Sequence, residues 1–245
     1  MPKPLHDFLK QAQRIVVFTG AGLSAESGVP TFRDAQTSLW TWYSLEDLAT
    51  PEGFVKNPRL VWEWHVWLRK LIDSAHPNPA HRVIAWMEEL LPEVTVITQN
   101  VDGLHQRAGS QNIIELHGNI QRTRCFNEGY VVGDWEKTEE VPPKCSVCGG
   151  YLRPDVVWYN EAIPEDAWLA ASHSVRHCEV FITIGSSGLV YPATELCNLA
   201  LASNAKVIQI NPRVTPLDAH ASINLRGKAG QIMPKWVLEL WGGQI

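Results

Sequence analysis

Short, almost uninterrupted apolar runs alternate along the chain with longer stretches of helical periodicity, and this alternation limits the possible folds more than any other feature. The runs at 15–19, 94–98, 113–116, 180–184 and 207–211 are hydrophobic at nearly every position, as strands are when helices cover both faces of a parallel sheet. A further strand is expected at 156–158. Helical patterns fill 5–14, 80–91, 192–203 and 234–240, the last two opening on Pro192 and Pro234, residues suited to a first helical position. The expected fold class is α/β, a Rossmann-like, doubly wound parallel sheet.

A length of 245 residues suits one large domain carrying insertions. Two stretches break the rhythm and are expected to form a smaller unit together. The first is a helical insertion at 34–79, with apolar positions at Val61, Trp64, Leu68 and Leu71 spaced for one helix face. The second, at 120–153, contains the turn-rich PPKCSVCGG and reads as a zinc-ribbon-like insertion. Residues 1–33, 80–119 and 154–245 are left for the main sheet.

Twenty-one basic against twenty-six acidic side chains give a net charge of −5, opposite in sign to the footprint of a phosphate-backbone binder, so no nucleic-acid partner is expected. No apolar run approaches the roughly 18 residues of a membrane span, and MPKPLHDFLKQAQR is too polar for a secretory signal. A cytoplasmic, monomeric protein without a membrane partner is expected. Three of the five cysteines lie between Cys125 and Cys148, while Cys178 and Cys197 stand alone among apolar residues. That pattern argues against a disulfide framework and makes the isolated pair core residues.

The first run leads into GAGLSAESGVPTFRD, where Gly20 and Gly22 let backbone approach a phosphate and Ser24 could begin a helix whose amides face the anion. Tight helix packing is the other use of such glycines. Gly28 comes six residues after Gly22, and Arg33 follows, a spacing that disfavours a hydride-transfer dehydrogenase. The second run ends in TQNVDGLH, where Gln99, Asn100 and Asp102 suit ribose hydroxyls or a carboxamide, or else form a turn. The third ends in ELHG. His117 there is a candidate general base, with a buried, backbone-bonded histidine as the alternative.

GAGLSAESGVPTFR, TQNVDGLH, LHG, GSSGLVYP and INP occur in the order and at about the separations of the sirtuins, NAD-dependent protein-lysine deacylases, and the chain resembles that family along nearly its whole length. DLATPEGFVKNPRLVWEW and PDVVWYNEAIP are most similar to the bacterial and mitochondrial branch that includes desuccinylases and demalonylases. The resemblance implies an NAD site lined by Gly20, Ala21, Gly22, Ser24, Glu26, Phe32 and Arg33, with Gln99 at the nicotinamide ribose and Asn100, Val101 and Asp102 around the nicotinamide. It places Gly185, Ser186 and Ser187 at phosphate and ribose, Asn211, Pro212 and Arg213 at the adenosine ribose, and Ala229 at the adenine. His117 becomes the base, with Asn100 beside it in catalysis. Val157, Trp158, Tyr159 and Glu161 on one side, and Gly188 and Val190 on the other, would hold the acylated lysine peptide as an added strand. The implied reaction joins the acyl oxygen to the ribose as nicotinamide leaves, consumes NAD, and moves the acyl group to ADP-ribose.

Three positions depart from the family. Its ribbon has two CxxC pairs, whereas here Cys145 and Cys148 stand opposite Cys125 and Glu128, leaving three thiolates for zinc unless Glu128 completes the set. The Tyr-x-x-Arg pair that grips a dicarboxylic acyl group aligns with His65 and Leu68. Leucine cannot neutralise a buried carboxylate, so deacetylation is expected and desuccinylation or demalonylation is the alternative, through an inward-turned Arg69 that is otherwise a solvated surface residue. The family's FGE is here YNE, with Asn160 able to adopt left-handed backbone. Mono-ADP-ribosyl transfer and a non-enzymatic NAD-binding module are the competing functional readings.

Overall fold

The computed structural model describes residues 3–30, 43–133, 135 and 140–242. The apolar runs form strands because their β-branched side chains fill both faces of a sheet. β1 (Arg14–Thr19), β2 (Glu93–Thr98), β3 (Ile113–Glu115), β7 (Val180–Ile184), β8 (Lys206–Ile210) and β9 (Ile223–Leu225) lie in the order β3-β2-β1-β7-β8-β9, every neighbouring pair parallel. The doubly wound parallel sheet is thus the fold, with the short edge strand β9 added beyond those legible in the sequence.

Alternation along β1 shows why both faces are apolar. Ile15 and Val17 enter a core beneath α1 (Lys3–Gln11), α6 (Pro79–Leu90) and α10 (Ala229–Trp241), while Val16 and Phe18 enter another beneath α8 (Glu165–His177) and α9 (Glu195–Ala202). Each such side chain, fully buried, stabilises the fold by about 1.5–3 kcal/mol before entropy is subtracted. Cys178 and Cys197 belong to the second core, where burial pushes both thiols up to about 12. Two proline expectations are corrected. α10 begins at Ala229 and holds Pro234 in its interior, and α9 begins at Glu195, with Pro192 in the turn before it. Only the carbonyl of Gly230, in the first turn of α10, loses its intrahelical partner to Pro234.

The strand expected at 156–158 instead runs Leu152–Val156 as β6, in a separate antiparallel sheet ordered β5-β4-β6 with β4 (Gly118–Cys125) and β5 (Val131–Val132). Beyond Val156 the backbone leaves the ladder. The Val157 N–H still reaches the His117 carbonyl at 2.9 Å, but the Tyr159 N–H turns to Ala49. Ahead of this sheet lie α2 (Ala21–Ala25), α3 (Leu45–Leu48), α4 (Pro51–Lys56) and α5 (Pro58–Ser74), and after β2 comes α7 (Leu104–Ala108). α5 buries Val61, Trp64, Leu68 and Ile72 against Ile120, Val156 and Trp158, so the helical and ribbon segments share a core. Among the described residues no helix is long and apolar enough to cross a membrane.

Candidate functional site

In this sheet, whose strands all run parallel, the order in which successive strands are added switches sides between β1 and β7, and the loops leaving their C-terminal ends diverge to open a crevice there. Glycine lets those two loops touch. A Cβ on Gly22 would stand 2.8 Å from the Gly185 carbonyl oxygen, and one on Gly185, whose φ is +64°, only 2.3 Å from the Leu23 nitrogen. The Gly22 N–H donates to that same carbonyl at 3.0 Å, so these glycines serve loop packing as well as any ligand. Ser24 does not begin the helix. α2 spans only Ala21–Ala25 with Gly20 as its N-cap, and Ser24 lies buried in its interior.

Ser24 is instead a junction. Its Oγ accepts from Asn100 Nδ2 at 3.1 Å and donates to the Asp102 carboxylate, while Asn100 Nδ2 also donates to the Gly20 carbonyl at 3.2 Å. Burial raises the Asp102 carboxyl, opposed by the Ser24 hydroxyl and by the Leu104 N–H, which donates to Oδ1 at 2.9 Å. Gln99 and Asn211 tie the floor to the β7 loop. Gln99 Nε2 donates to Ser186 Oγ at 3.1 Å, and Asn211 Nδ2 donates to the Ser186 carbonyl at 2.8 Å.

His117 stands between β3 and β4, with its Nδ1 at 3.0 Å from the Gln99 carbonyl. A carbonyl only accepts, so Nδ1 carries the proton and Nε2 is the proton-accepting nitrogen of the neutral ring. Burial lowers the ring's proton affinity and so favours the neutral form, an effect the Gln99 bond offsets only in part. The histidine is therefore backbone-bonded, as one sequence alternative has it, and its Nε2 is left unprotonated, which is compatible with the other.

Ala21, Pro212 and Arg213 are exposed around the crevice, and the Arg213 N–H donates to Asn211 Oδ1 at 3.0 Å. Ser187 caps its own loop by accepting from the Leu189 N–H at 3.3 Å. Val101 packs on the core shared with α5. Glu26 and Ala229 lie together at the start of α10, where both Glu26 carboxylate oxygens accept from the Gly230 N–H at 3.3 Å. Phe32 and Arg33 lie outside the described residues.

The wall beside this floor is built from α5 and the segment after β6. His65 is buried, its Nδ1–H donating to the Val61 carbonyl at 2.8 Å and its Nε2 accepting from Trp158 Nε1 at 3.3 Å; desolvation drives it down to about 3, so it is neutral. Leu68 is 7% exposed within the same core. Arg69 is neither a solvated surface arginine nor aimed at this wall. Its Nε donates to the Ile120 carbonyl at 2.7 Å and Nη2 to that of Arg122 at 3.3 Å, on β4. Glu161 faces inward as well, binding Arg153 at 2.5 and 2.9 Å and accepting from the Trp158 N–H at 2.8 Å, with the Arg153 guanidinium 3.3 Å above the Trp158 ring. Tyr159, Leu189, Val190 and Tyr191 are exposed, and Asn160 adopts the left-handed backbone its type tolerates, at φ 67°.

Sequence reasoning gave no role to Thr19, Thr98, His105 or Arg153. The Thr19 hydroxyl donates to Thr98 Oγ1 at 2.8 Å, Thr98 Oγ1 accepts from the Asn100 N–H at 3.0 Å, and His105 Nε2 lies 3.0 Å from Thr19. These groups brace the loop that carries Asn100. His105, inside TQNVDGLH, was the available signal.

Cys125, Cys145 and Cys148 gather with their sulfurs within 4.8 Å of one another, a donor set that fits three corners of a tetrahedral zinc site and would tie β4 to the second knuckle. Glu128, the alternative left open for the fourth position, is exposed and does not join them. It sits on the outer side of a tight turn.

The profile of the Sir2 family matches residues 20–192. An NAD-dependent protein deacylase of Aquifex aeolicus (strain VF5) is 50% identical over 222 residues, covering 90% of this chain and 92% of the relative. A crystal structure of a Sir2 homologue in complex with NAD superposes with a TM-score of 0.91 at 40% identity, covering 100% of this chain and 96% of the other. A Sir2 protein bound to acetylated peptide gives 0.86 at 32% identity, over 99% of each chain.

Proposed function

The chain belongs to the Sir2 family and is an NAD-dependent protein deacylase, and from that premise we propose that it prefers neutral acyl groups, acetyl first, over dicarboxylic ones. The hydrogen bonding of the α5 wall carries this reading. A succinyl or malonyl group brings a carboxylate whose burial is strongly unfavourable without a cation or several donors. His65 is neutral and bonded at both nitrogens, Leu68 is apolar, Arg69 is held by the β4 carbonyls, and Arg153 is held by Glu161. Such a wall offers apolar surface. The desuccinylase alternative required Arg69 to turn inward, which would strip two carbonyls of their donor.

NAD is the co-substrate, and it supplies the ribose carbon and hydroxyls through which the acyl group departs. In our reading Asn100 and Asp102, fixed by Ser24 and the Leu104 amide, hold the nicotinamide end, while the Gly20–Gly22 and Gly185–Ser187 loops receive the phosphates. His117 takes up a proton at Nε2, because Nδ1 is committed to Gln99. The loop around Gly188–Tyr191 and the segment from Val157 to Tyr159 offer backbone to a substrate peptide laid between them. Acylated protein lysine is the second substrate.

Nicotinamide release from NAD with one lysine peptide in acetyl, succinyl and long fatty-acyl forms tests the proposal. Acetyl turnover is expected to exceed succinyl turnover. Dominant succinyl turnover overturns the reading of the wall, and peptide-independent nicotinamide release with labelling of protein would favour ADP-ribosyl transfer.

A further inference from the structure

The ribbon's first knuckle lacks its second cysteine, and the residue standing at that position is not what replaces it. β4 ends at Cys125, where the chain turns sharply: the Gly129 N–H donates to the Cys125 carbonyl and the Cys125 N–H to the Tyr130 carbonyl, both at 3.0 Å. This closed turn leaves Glu128 exposed and brings Tyr130 back beside the thiols. The Tyr130 hydroxyl lies 2.7 Å from Cys145 Sγ, and Cys125 Sγ lies 3.4 Å from Cys148 Sγ. Three sulfurs and one oxygen, from both knuckles, therefore share one cluster.

Geometry separates the two oxygen donors, since the Tyr130 hydroxyl touches a thiol while Glu128 is exposed and outside the cluster, and charge does not oppose the phenol. Three thiolates around a divalent cation already leave one net negative charge, to which a glutamate would add a second. A phenol adds none, and its O–H can donate to a thiolate and spread the charge already there. We propose that the ribbon binds a zinc-type divalent ion on Cys125, Cys145 and Cys148, with the Tyr130 hydroxyl, hydrogen-bonded to Cys145, rather than Glu128, as the fourth group of the site. The three thiol protons leave to solvent as the ion binds.

The test uses the reduced, metal-stripped full-length chain. Cobalt(II) is titrated in and followed by its thiolate charge-transfer band, and zinc affinity is then measured against a chromophoric chelator. One equivalent should bind with three-thiolate intensity; Tyr130→Phe should weaken zinc binding about 10–100-fold, the usual effect of losing a hydrogen-bond partner of a metal ligand, and Glu128→Gln should leave it unchanged. Glu128→Gln weakening the ion as much as Tyr130→Phe overturns the proposal, as does a wild-type chain that binds no ion. Should Tyr130→Phe fail to fold, the wild-type chain labelled with 13C at tyrosine Cζ gives a second readout. One of its five tyrosine resonances should move with the first equivalent of zinc, and none moving would overturn the assignment.

Discussion

The floor of the crevice and the wall beside it are both rich in polar side chains, yet they present opposite surfaces. On the floor, His117 is bonded through Nδ1 to the Gln99 carbonyl and keeps Nε2 unprotonated, while Asn100 braces Gly20 and Ser24 through Nδ2 alone. On the wall, the polar groups satisfy one another completely: His65 with Val61 and Trp158, Arg153 with Glu161, Arg69 with β4. On the proposed reading, what this wall offers an acyl group is apolar. Polarity counted from the sequence would rank the two regions as equals; hydrogen-bond accounting separates them, and that difference is what the proposed assignment to dinucleotide and neutral acyl chain rests on.

The largest effect expected from breaking this contrast lies on the floor. His117→Ala should lower the rate of acetyl-peptide turnover about 10²–10⁴-fold while NAD binding by calorimetry persists, since the base is lost and the loops are not. Turnover near the wild-type rate would return His117 to a purely structural role.

On the wall, Glu161→Ala strips the buried Arg153 of its carboxylate and should cost about 3–5 kcal/mol in urea unfolding, mostly through the uncompensated charge. An unchanged midpoint would mean that solvent reaches Arg153. His65→Phe should be milder, about 1–3 kcal/mol, because it leaves the Trp158 indole N–H without an acceptor.

The same histidine links stability to pH. His65 at about 3, His105 at about 3 and His81 at about 4 all lie below the ordinary 6.5, so the unfolded chain takes up protons first. Stability should therefore be level above about pH 6.5 and fall as pH drops through 6.5 toward 4 and 3. His65→Phe should flatten that slope, read from urea midpoints at several pH values; an equal slope in the variant would show that His65 titrates normally. The smallest expected effect is a shift in specificity. Leu68→Arg supplies the missing cation and should raise the ratio of succinyl to acetyl turnover severalfold, and a ratio that does not move counts against the wall as the selective surface.

Much of this was legible beforehand. Continuous apolar runs of about five residues, rich in β-branched side chains, are too short for helices and fit strands buried on both faces, so the main strands of the parallel sheet were legible, whereas the three residues of β9 are too few to leave a pattern. Helix starts read from proline failed at Pro234, because one proline early in a helix removes a single bond and long apolar periodicity outweighs it. The strand placed at 156–158 was displaced to Leu152–Val156 because its pairing partner, β4, ends its ladder at Gly118. The motif residues on the floor could be named because short segments at strand ends carry them. Arg153 and Tyr130 could not, since each acts on a residue with which it forms no sequence motif.

The sequence by itself determined the sheet, the residue types gathered at its C-terminal edge and the loss of one cysteine from the ribbon, because strand periodicity and composition are local properties of the chain. Only the tertiary structure decided which way Arg69 points, that His65 is satisfied at both nitrogens, and that Tyr130 rather than Glu128 meets the thiols. Those outcomes depend on hydrogen bonds between segments brought together by folding, and the direction of a side chain is set by the partners it finds there.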